Sequence, residues 1–257
     1  MLIQYITGLD EEQFNELSRR IEEILASRPT RKGGPKEKLP LDAQVAATLM
    51  LLRHNATEEM VAEIFGVTQS AISKIKDTIE PLLDEATGLG EAPLDELVLN
   101  RQTVIDGTYV VTGNRRQTGK TNYSGKRKCQ CVNVQIASDL EGTLLAASAP
   151  VAGARHDRKA LELCGWDQIL ASADWIADTG YVGTNALTPV KKQSGGERTE
   201  TDKTFNHVIA GIRSVIERCI AHWKNWRILK TGYRRQLKRL ANIIHLVTRL
   251  ELYRLGW

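Results

Sequence analysis

Residues 101–111 have the sequence RQTVIDGTYVV, and this stretch decides the fold class. β-Branched residues stand on both sides of Asp106, which predicts a strand that carries a carboxylate within it. An ionised carboxylate among apolar neighbours is costly unless something compensates its charge. Asp106 is therefore the first candidate functional residue.

Further strand candidates follow this stretch. Residues 129–137 (CQCVNVQIA) and 144–151 are rich in strand formers, and the turn residues Asp139-Leu140-Glu141-Gly142 separate them. We expect an antiparallel meander. A helix is predicted over residues 156–165, and residues 174–178 (DWIAD) predict a short strand that ends at Asp178. Long helices are predicted over residues 202–226 and 234–254.

The N-terminal part has a different character. Apolar residues at helical spacing predict an amphipathic helix over residues 10–27, which Asp10 can cap. Further helices are predicted over residues 41–54, 57–64, 69–79 and 81–87, after a Pro- and Gly-containing linker at 28–40. The sequence thus predicts two domains, an all-α domain over 1–98 and an α/β domain over 99–257.

Composition limits the possible functions. The net charge is +4, but residues 1–98 carry 10 Lys and Arg against 18 Asp and Glu, whereas residues 99–257 carry 25 against 13. A basic C-terminal part suggests a polyanionic partner. No apolar run reaches the length of a membrane helix, and the N-terminus does not resemble a signal peptide, so we expect a cytoplasmic protein without membrane contact. The spacing of the four cysteines favours reduced thiols.

Residues 57–79 have the pattern of a helix-turn-helix. Ala62 allows two helices to approach closely, Gly66 suits a tight turn, Thr68 can cap the second helix and Ile72 can fill the gap between them. Two ordinary packed helices are the alternative. If the motif binds DNA, the residues that face outward towards bases and phosphates are Gln69, Ser70, Ser73 and Lys74.

A third acid stands on the long helix predicted after residue 202. Arg213, Glu217 and Lys224 fall on one helix face, so a carboxylate lies between two cations there. Taken singly, each acid fits a structural ion pair or a solvated charge. Taken together, Asp106, Asp178 and Glu217 can supply the oxygen ligands that hard divalent cations prefer. The neighbouring Arg213 and Lys224 would hold phosphate.

Two further groups are candidates. The loop 113–128 is basic and could clamp DNA, with a solvated loop as the alternative; its cations that we name as DNA-binding are Arg115, Arg116, Lys126 and Lys128. His156 and Asp157 precede a predicted helix. We favour a capping role for Asp157, with an auxiliary role at the catalytic site for the pair as the alternative. Asp157 would also take the place of Asp178 among the acids if Asp178 lay far from Asp106.

The motifs together resemble those of a known family. They are Ile105-Asp106-Gly107-Thr108, Arg155-His156-Asp157, Ala177-Asp178-Thr179-Gly180-Tyr181, and Arg213-Ser214-Val215-Ile216-Glu217 continuing to Lys224-Asn225-Trp226-Arg227. In order and spacing they resemble insertion-sequence transposases of the IS5 superfamily, the Harbinger-like group of DDE enzymes. The tyrosine of the family signature around the glutamate is replaced by Ala210 here.

The resemblance implies a ribonuclease-H-like catalytic domain after the helix-turn-helix, with Asp106, Asp178 and Glu217 as a metal-binding triad. It implies a DNA transposase that uses Mg²⁺, or Mn²⁺ as a substitute, to cleave element ends and transfer strands into target DNA by a two-metal mechanism. Expected partners are double-stranded DNA, as terminal inverted repeats and as target, and a second copy of the chain. The alternatives are a catalytically silent DNA-binding protein and a nuclease without strand transfer.

Overall fold

The computed structural model describes residues 2–29, 39–88, 93–98, 101–113, 120–192 and 195–256. Its chain divides into two compact units. Unit 1 comprises Met1–Glu91, Asn225–Thr231 and Arg249–Trp257, and unit 2 comprises Ala92–Lys224 and Gly232–Thr248. A single boundary after residue 98 does not describe this division, because two C-terminal segments group with the N-terminal helices. The functional domains over 1–98 and 99–257 stay a prediction.

Unit 1 is helical. Its N-terminal helices are α1 (Leu2–Thr7), α2 (Glu11–Ser27), α3 (Leu41–His54), α4 (Glu58–Phe65) and α5 (Gln69–Thr87). Asp10 caps α2 as predicted, through a reciprocal box with Gln13. The C-terminal segments contribute buried groups to the same unit, and the indole of Trp226 donates a 2.9 Å hydrogen bond to Glu251.

The helix-turn-helix geometry follows from local chemistry. Thr57 and Thr68 cap α4 and α5, and Gly66 takes the left-handed conformation between them with φ of 66°. Ala62 and Ile72 are buried together in one apolar cluster with residues of α3. The predicted roles of Ala62, Gly66, Thr68 and Ile72 in the fold are therefore confirmed.

Proline does not end the second helix of the motif. We predicted separate helices over 69–79 and 81–87, which is wrong, because α5 runs through Pro81 to Thr87. Proline removes one backbone donor and usually breaks a helix. Here Ile79, Leu82 and Leu83, on both sides of Pro81, are almost completely buried, and this packing stabilises the continuous helix.

Unit 2 is built on a sheet. Its strands are β1 (Thr103–Val111), β2 (Tyr123–Ser124), β3 (Cys129–Ser138), β4 (Leu144–Ala147), β5 (Val151–Ala152) and β6 (Trp175–Ile176). The predicted third strand over 144–151 is thus two short strands. β3 pairs antiparallel with β1 on one side and with β2, β4 and β5 on the other, and β6 pairs parallel with β1.

Helices cover this sheet. They are α6 (Leu94–Val98), α7 (Asp157–Leu163), α8 (Trp166–Ile169) and α9 (Glu200–Trp223), and α10 (Leu240–Leu255) follows. α7 packs on β3, and α9 packs on β1 and β3. A core of apolar side chains includes Ile105, Leu161 and Trp175. The last helix starts at Leu240, later than the predicted residue 234.

Two composition-based expectations can be compared with the structure. All four cysteines are free, and Cys131 and Cys219 are buried. No helix in the described ranges combines the length and the apolar character needed to cross a membrane.

Candidate functional site

The register of the sheet brings two predicted site residues to the same level. β1 and β6 run parallel with Val104 opposite Ile176. Asp106 follows Val104 by two residues, and Asp178 follows Ile176 by two residues. The two carboxylates therefore lie beside each other on neighbouring segments of the chain. Mutual electrostatic repulsion between Asp106 and Asp178 is the expected consequence, and it contributes to the raised pKa of Asp106.

Each of the two aspartates uses one oxygen locally. Oδ1 of Asp106 accepts a 2.8 Å hydrogen bond from the backbone N–H of Gly107, and Oδ1 of Asp178 accepts one of 2.6 Å from Gly180. Asp178 thereby caps a 3₁₀ turn over Thr179–Tyr181. The second oxygen of Asp106 faces Arg213 of α9, whose Nη2 is 3.8 Å away. These local bonds fix both carboxylates before any ligand is bound.

The surroundings of Asp106 destabilise its ionised form. Burial raises the pKa of Asp106 to about 6, Arg213 opposes this rise, and the charges of Asp178 and Asp157 add to it. A bound cation would reverse the cost by attracting all three carboxylates.

Asp157 joins this group. Our prediction that Asp157 caps the following helix is wrong, because His156 occupies the cap and its Nδ1 accepts from the backbone N–H of Lys159. Asp157 is the first residue of α7. Its Oδ1 accepts a 2.9 Å hydrogen bond from Nδ2 of Asn133 on β3.

Gly107 makes room for Asp157, which also lies near Gly180. A Cβ on Gly107 would lie 3.0 Å from Cγ of Asp157 and nearer still to its Oδ1, and a Cβ on Gly180 would lie 3.6 Å from Oδ2. Gly107 follows Asp106, and Gly180 is two residues after Asp178. The Asp157 carboxylate therefore lies between the backbone segments that carry the other two aspartates.

A string of buried polar groups supports this carboxylate. Asn133, Gln135 and Tyr181 are each 0% exposed. The hydroxyl of Tyr181 donates to Oε1 of Gln135, and Nε2 of Gln135 donates to Oδ1 of Asn133 over 2.9 Å. Buried polar groups are stable only when hydrogen-bonded. Here each group donates to the next one along the string, and the last donor, Asn133, binds Asp157.

The three residues predicted to share one face of the long helix, Arg213, Glu217 and Lys224, have different surroundings in the structure. Arg213 reaches Asp106, as described, whereas Glu217 is an exposed residue one turn further on. Glu217 is not among the charged groups that affect the pKa of Asp106 most, which are Arg213, Asp178 and Asp157. Lys224 is half-buried at the end of α9, and its Nζ donates to the backbone oxygen of Tyr109 over 2.9 Å.

The donors at this site suit a hard divalent cation in their chemistry, because they are carboxylate oxygens. Within the described ranges, however, no three His, Cys, Asp or Glu side chains are gathered closely enough to hold one ion. The positive charge of Arg213 partly compensates the negative charge of Asp106. Its Nε is buried and makes no hydrogen bond in the described part of the chain.

The outward face of the helix-turn-helix carries the predicted polar residues. Gln69, Ser70 and Lys74 are exposed and Ser73 is half-buried. Gln69 donates to Glu58, and Glu58 also forms an ion pair with Lys76, which is 8% exposed. The start of α5 is thereby tied to the start of α4.

The basic loop is described only in part. Lys126 and Lys128 are exposed, and the guanidinium of Arg127 lies over the ring of Tyr109, 5.4 Å from its centre. The predicted DNA-binding residues Arg115 and Arg116 lie outside the described residues. The predicted role of this loop therefore stays a prediction.

Several residues of the site were not singled out from the sequence. They are Asn133, Gln135, Tyr181 and the two glycines at 107 and 180. The sequence offered a signal for Asn133 and Gln135, because these two amides stand two residues apart in the mostly apolar stretch CQCVNVQIA. Such residues share one face of the sheet, so both were candidates for a buried polar network.

Comparison with known proteins finds relatives of nearly full length. The chain is 28% identical over 226 residues to a putative transposase for insertion sequence element IS112 of Streptomyces albus G, covering 87% of this chain and 84% of that protein. It is 22% identical over 263 residues to a probable transposase for insertion sequence element IS702 of Microchaete diplosiphon, covering 98% and 93%. No solved structure matches significantly.

Two family models match successive parts of the chain. The model described as helix-turn-helix of DDE superfamily endonuclease matches residues 37–88, which include α3, α4 and α5. The model described as DDE superfamily endonuclease matches residues 105–251, which include Asp106, Asp157, Asp178 and Arg213. This second match covers more than half of the chain. By its sequence, the chain belongs to the DDE superfamily of endonucleases.

Proposed function

We propose that this chain is a DNA transposase of the IS5 superfamily, the Harbinger-like group. It cuts DNA at the ends of an insertion sequence and joins the freed ends to target DNA. The observation that carries the proposal is the meeting of Asp106 and Asp178 beside Arg213. Both relatives have names that describe them as transposases of insertion sequences, which supports the same function.

The catalytic domain in this proposal is ribonuclease-H-like. An antiparallel meander of β4, β3 and β1, extended by the parallel strand β6, supports it, since Asp106 stands on β1 and Asp178 two residues after β6. Asp106, Asp178 and Glu217 are the triad that would hold Mg²⁺, with Mn²⁺ as a substitute. When bound, the cations would supply the Lewis-acid chemistry that activates a water or 3′-hydroxyl for attack. Glu217 has to approach the two aspartates from α9 for this role.

Positive groups around the acids bind the DNA backbone. The unpaired, buried Nε of Arg213 is a donor that a phosphate oxygen would satisfy, because a buried polar atom without a partner is costly. Outside the site, four cations of the basic loop bind the DNA backbone. They are Arg115, Arg116, Lys126 and Lys128. Lys224 contributes positive charge from the end of α9.

Sequence-specific binding is the role of the helix-turn-helix. Gln69, Ser70, Ser73 and Lys74 lie on the first turns of α5, the part of a recognition helix that meets base edges. Two element ends must be brought together, so the active form contains at least two copies of the chain.

Incubation of the purified chain with Mg²⁺ and a duplex from the DNA that flanks its gene tests this function. Joined products between this duplex and a target plasmid support a transposase. Cutting without joining would indicate a nuclease that cannot transfer strands, and binding without cutting would indicate a silent DNA-binding protein. Reactions without divalent cation serve as controls and should give no product.

A further inference from the structure

A polar cavity of about 390 Å³ lies within unit 1. Its walls come from α1, from the end of α3 and from residues 225–227, which follow α9. The lining residues are all polar or basic, and they are Gln4, Tyr5, Arg53, His54, Asn225 and Arg227. None of them belongs to the proposed catalytic site or to the predicted recognition residues of the helix-turn-helix. No carboxylate of the described residues lines the cavity, so its lining is positively charged.

The cavity offers hydrogen-bond donors that are not used elsewhere in the described part of the chain. The guanidinium groups of Arg53 and Arg227 form no ion pair or hydrogen bond there. The side-chain amides of Gln4 and Asn225 likewise form no hydrogen bond within the described ranges. Each guanidinium carries five N–H donors and keeps its positive charge at physiological pH. Two cations and two neutral donors thus line one volume.

Local contacts hold the walls of the cavity in place before any ligand binds. Nε2 of His54 donates a 2.7 Å hydrogen bond to the backbone oxygen of Tyr5, because a carbonyl oxygen can only accept, and this bond joins α3 to α1. Residues 227–229 form a 3₁₀ turn that packs on α3. Ile228 and Leu229 of this turn are almost completely buried. The cavity is therefore preformed, as binding sites usually are.

The orientation of Arg53 is fixed by groups that leave its charge uncompensated. Its guanidinium lies over the ring of Trp226, 5.4 Å from the ring centre. A Cβ at Gly8, where φ is 84°, would lie 3.0 Å from Cδ and Nε of Arg53, so this glycine leaves room for the side chain. Stacking on an aromatic ring holds a guanidinium without occupying its N–H groups, which stay available for an anion.

Glu251, the acid whose charge acts on Arg53, is already bound by other groups. It is 1% exposed and accepts hydrogen bonds of 2.6 and 2.9 Å from Arg254 and one of 2.9 Å from Trp226. Burial lowers the pKa of Arg53, and the charge of Glu251 opposes this change. The charges of Arg254 and Arg227 lower the same pKa further. An anion in the cavity would compensate this partly buried cation.

We propose that this cavity binds a phosphate group of the DNA backbone. Guanidinium groups match phosphate oxygens with paired, charge-assisted hydrogen bonds, and the amides of Gln4 and Asn225 can complete the set of donors. The identification of DNA as the source of the phosphate rests on the proposed function, whereas the phosphate site itself does not. Contacts to phosphate fix the position of a protein on DNA without reading the base sequence.

Such a site compensates for the acidity of the N-terminal part. Residues 1–98 carry 10 Lys and Arg against 18 Asp and Glu, and non-specific affinity for DNA depends on neutralising phosphates. The cavity gathers positive charge at one place in unit 1, and Arg227 brings one of its two arginines from the C-terminal part of the chain. The helix-turn-helix can then bind base edges while the cavity holds the backbone.

Isothermal titration calorimetry of the full chain with inorganic phosphate, at constant ionic strength, tests the site without DNA or divalent cation. We expect saturable binding by the wild type and a loss of about tenfold or more in affinity for Arg227→Gln, as for a lost charge-assisted hydrogen bond. The matched control is Lys230→Gln, because Lys230 is an exposed cation three residues further on that does not line the cavity. This control should bind phosphate like the wild type.

Asn225→Asp tests the same site with a repulsive charge. It keeps the size of the side chain but places a carboxylate in the cavity, so phosphate binding should be lost. Asn225 and Arg227 are both exposed, and melting curves check that their variants fold. Should Asn225→Asp melt without a cooperative transition, Asn225→Ala takes its place, and a smaller loss of phosphate affinity is expected.

Binding of double-stranded DNA at several salt concentrations distinguishes the sources of the phosphate. If the phosphate belongs to DNA, Arg227→Gln lowers the slope of log affinity against log salt by about 0.9 relative to the wild type, and it weakens binding to two unrelated duplexes equally. A free phosphate or a nucleotide as the ligand would leave the slope unchanged, and this result overturns the assignment to DNA.

Two results overturn the site itself. One is a wild-type chain without saturable phosphate binding, and the other is an Arg227→Gln protein that folds and binds phosphate at wild-type affinity. Both leave the proposed function standing, because the acids of the triad are unchanged. A chain that binds phosphate through Arg227 but cuts no DNA refutes the proposed function and leaves the phosphate site in place.

Discussion

Gly107 and Asp157 are packed so closely that position 107 has no room for a side chain. A Cβ there would lie 3.0 Å from Cγ of Asp157 and 3.2 Å from Nε2 of Gln135. Gly107 pairs with Gln135 in the register of β1 and β3. The backbone of β1 and the polar string of β3 therefore jointly define where the Asp157 carboxylate lies.

Gly107→Ala should displace Asp157 without removing any carboxylate. The added methyl group collides with Oδ1 and with the hydrogen bond from Asn133, next to Asp106. We expect DNA cutting to fall by about tenfold or more, because small displacements at an active site are costly. Gly211→Ala is a matched control, because a Cβ at Gly211 meets no atom within 4 Å and lies within α9. That control should gain about 0.5–1 kcal/mol in stability. Equal cutting rates for both variants would argue against the described packing.

Asp106→Asn should stabilise the metal-free protein at neutral pH. The pKa of Asp106 is raised in the folded state from 3.8 to about 6. Between these two pH values the folded state retains a proton that the unfolded state has lost. The ionised side chain consequently destabilises the fold progressively as the pH rises from about 4 to about 6. Removing the ionisable group with Asp106→Asn should therefore raise the free energy of unfolding by about 3 kcal/mol above about pH 6, and should not change it below about pH 3.

Chemical denaturation of wild type and Asp106→Asn in EDTA, at several pH values, measures this difference. The gap should open between pH 4 and pH 6 and then stay constant. A variant that is less stable than the wild type at pH 8 would contradict the assignment of Asp106 as a buried, repelled carboxylate.

Lys74→Ala should weaken DNA binding by the helix-turn-helix without affecting stability. Lys74 is exposed on α5, and loss of one phosphate contact lowers the slope of log affinity against log salt by about 0.9. The control is Arg19→Ala, since Arg19 is an exposed cation on α2 that pairs with Glu16 and Glu23. Binding isotherms at several salt concentrations provide the slopes. Identical slopes for both variants would exclude a phosphate contact by Lys74.

The ion pair between Glu58 and Lys76 should matter for stability. Side chains of Lys76 and Glu58 are only 9% and 21% exposed, so Glu58→Ala leaves a nearly buried ammonium uncompensated. We expect a loss of about 3–5 kcal/mol in the free energy of unfolding. Replacing both partners, with Glu58→Leu and Lys76→Met, should recover most of it. Denaturant titration provides the measurement, and a loss below 1 kcal/mol for Glu58→Ala would show that the pair is solvated.

Local patterns predicted much of the fold. Capping residues and helical spacing predicted α2, α3 and the helix-turn-helix, and the β-branched segments predicted β1 and β3, because these signals act within a few residues. The sequence did not predict that α5 continues through Pro81. That outcome depends on packing of Ile79, Leu82 and Leu83, which is a tertiary effect.

The site was predictable only in part for a similar reason. Asp106 was identified because it interrupts an apolar strand pattern, and Asp178 because it ends one. The parallel register of β1 and β6 brings them to one level. The place of Asp157 depends on contacts between α7, β3 and two glycines that are far apart in sequence. Neither spacing nor propensity encodes such contacts, so the helix-capping hypothesis for Asp157 was plausible and wrong.

The central claim is that the acids of this site cut DNA with a divalent cation, and single-turnover cleavage by acid variants tests it most directly. Asp106→Asn, Asp178→Asn and Glu217→Gln are compared with Glu141→Gln, an exposed acid in the turn between β3 and β4. The account predicts a loss of at least about a thousandfold for the first three, as for groups that act as a unit, with DNA affinity retained and the Glu141 variant unaffected. Cutting by Asp106→Asn near the wild-type rate would contradict it.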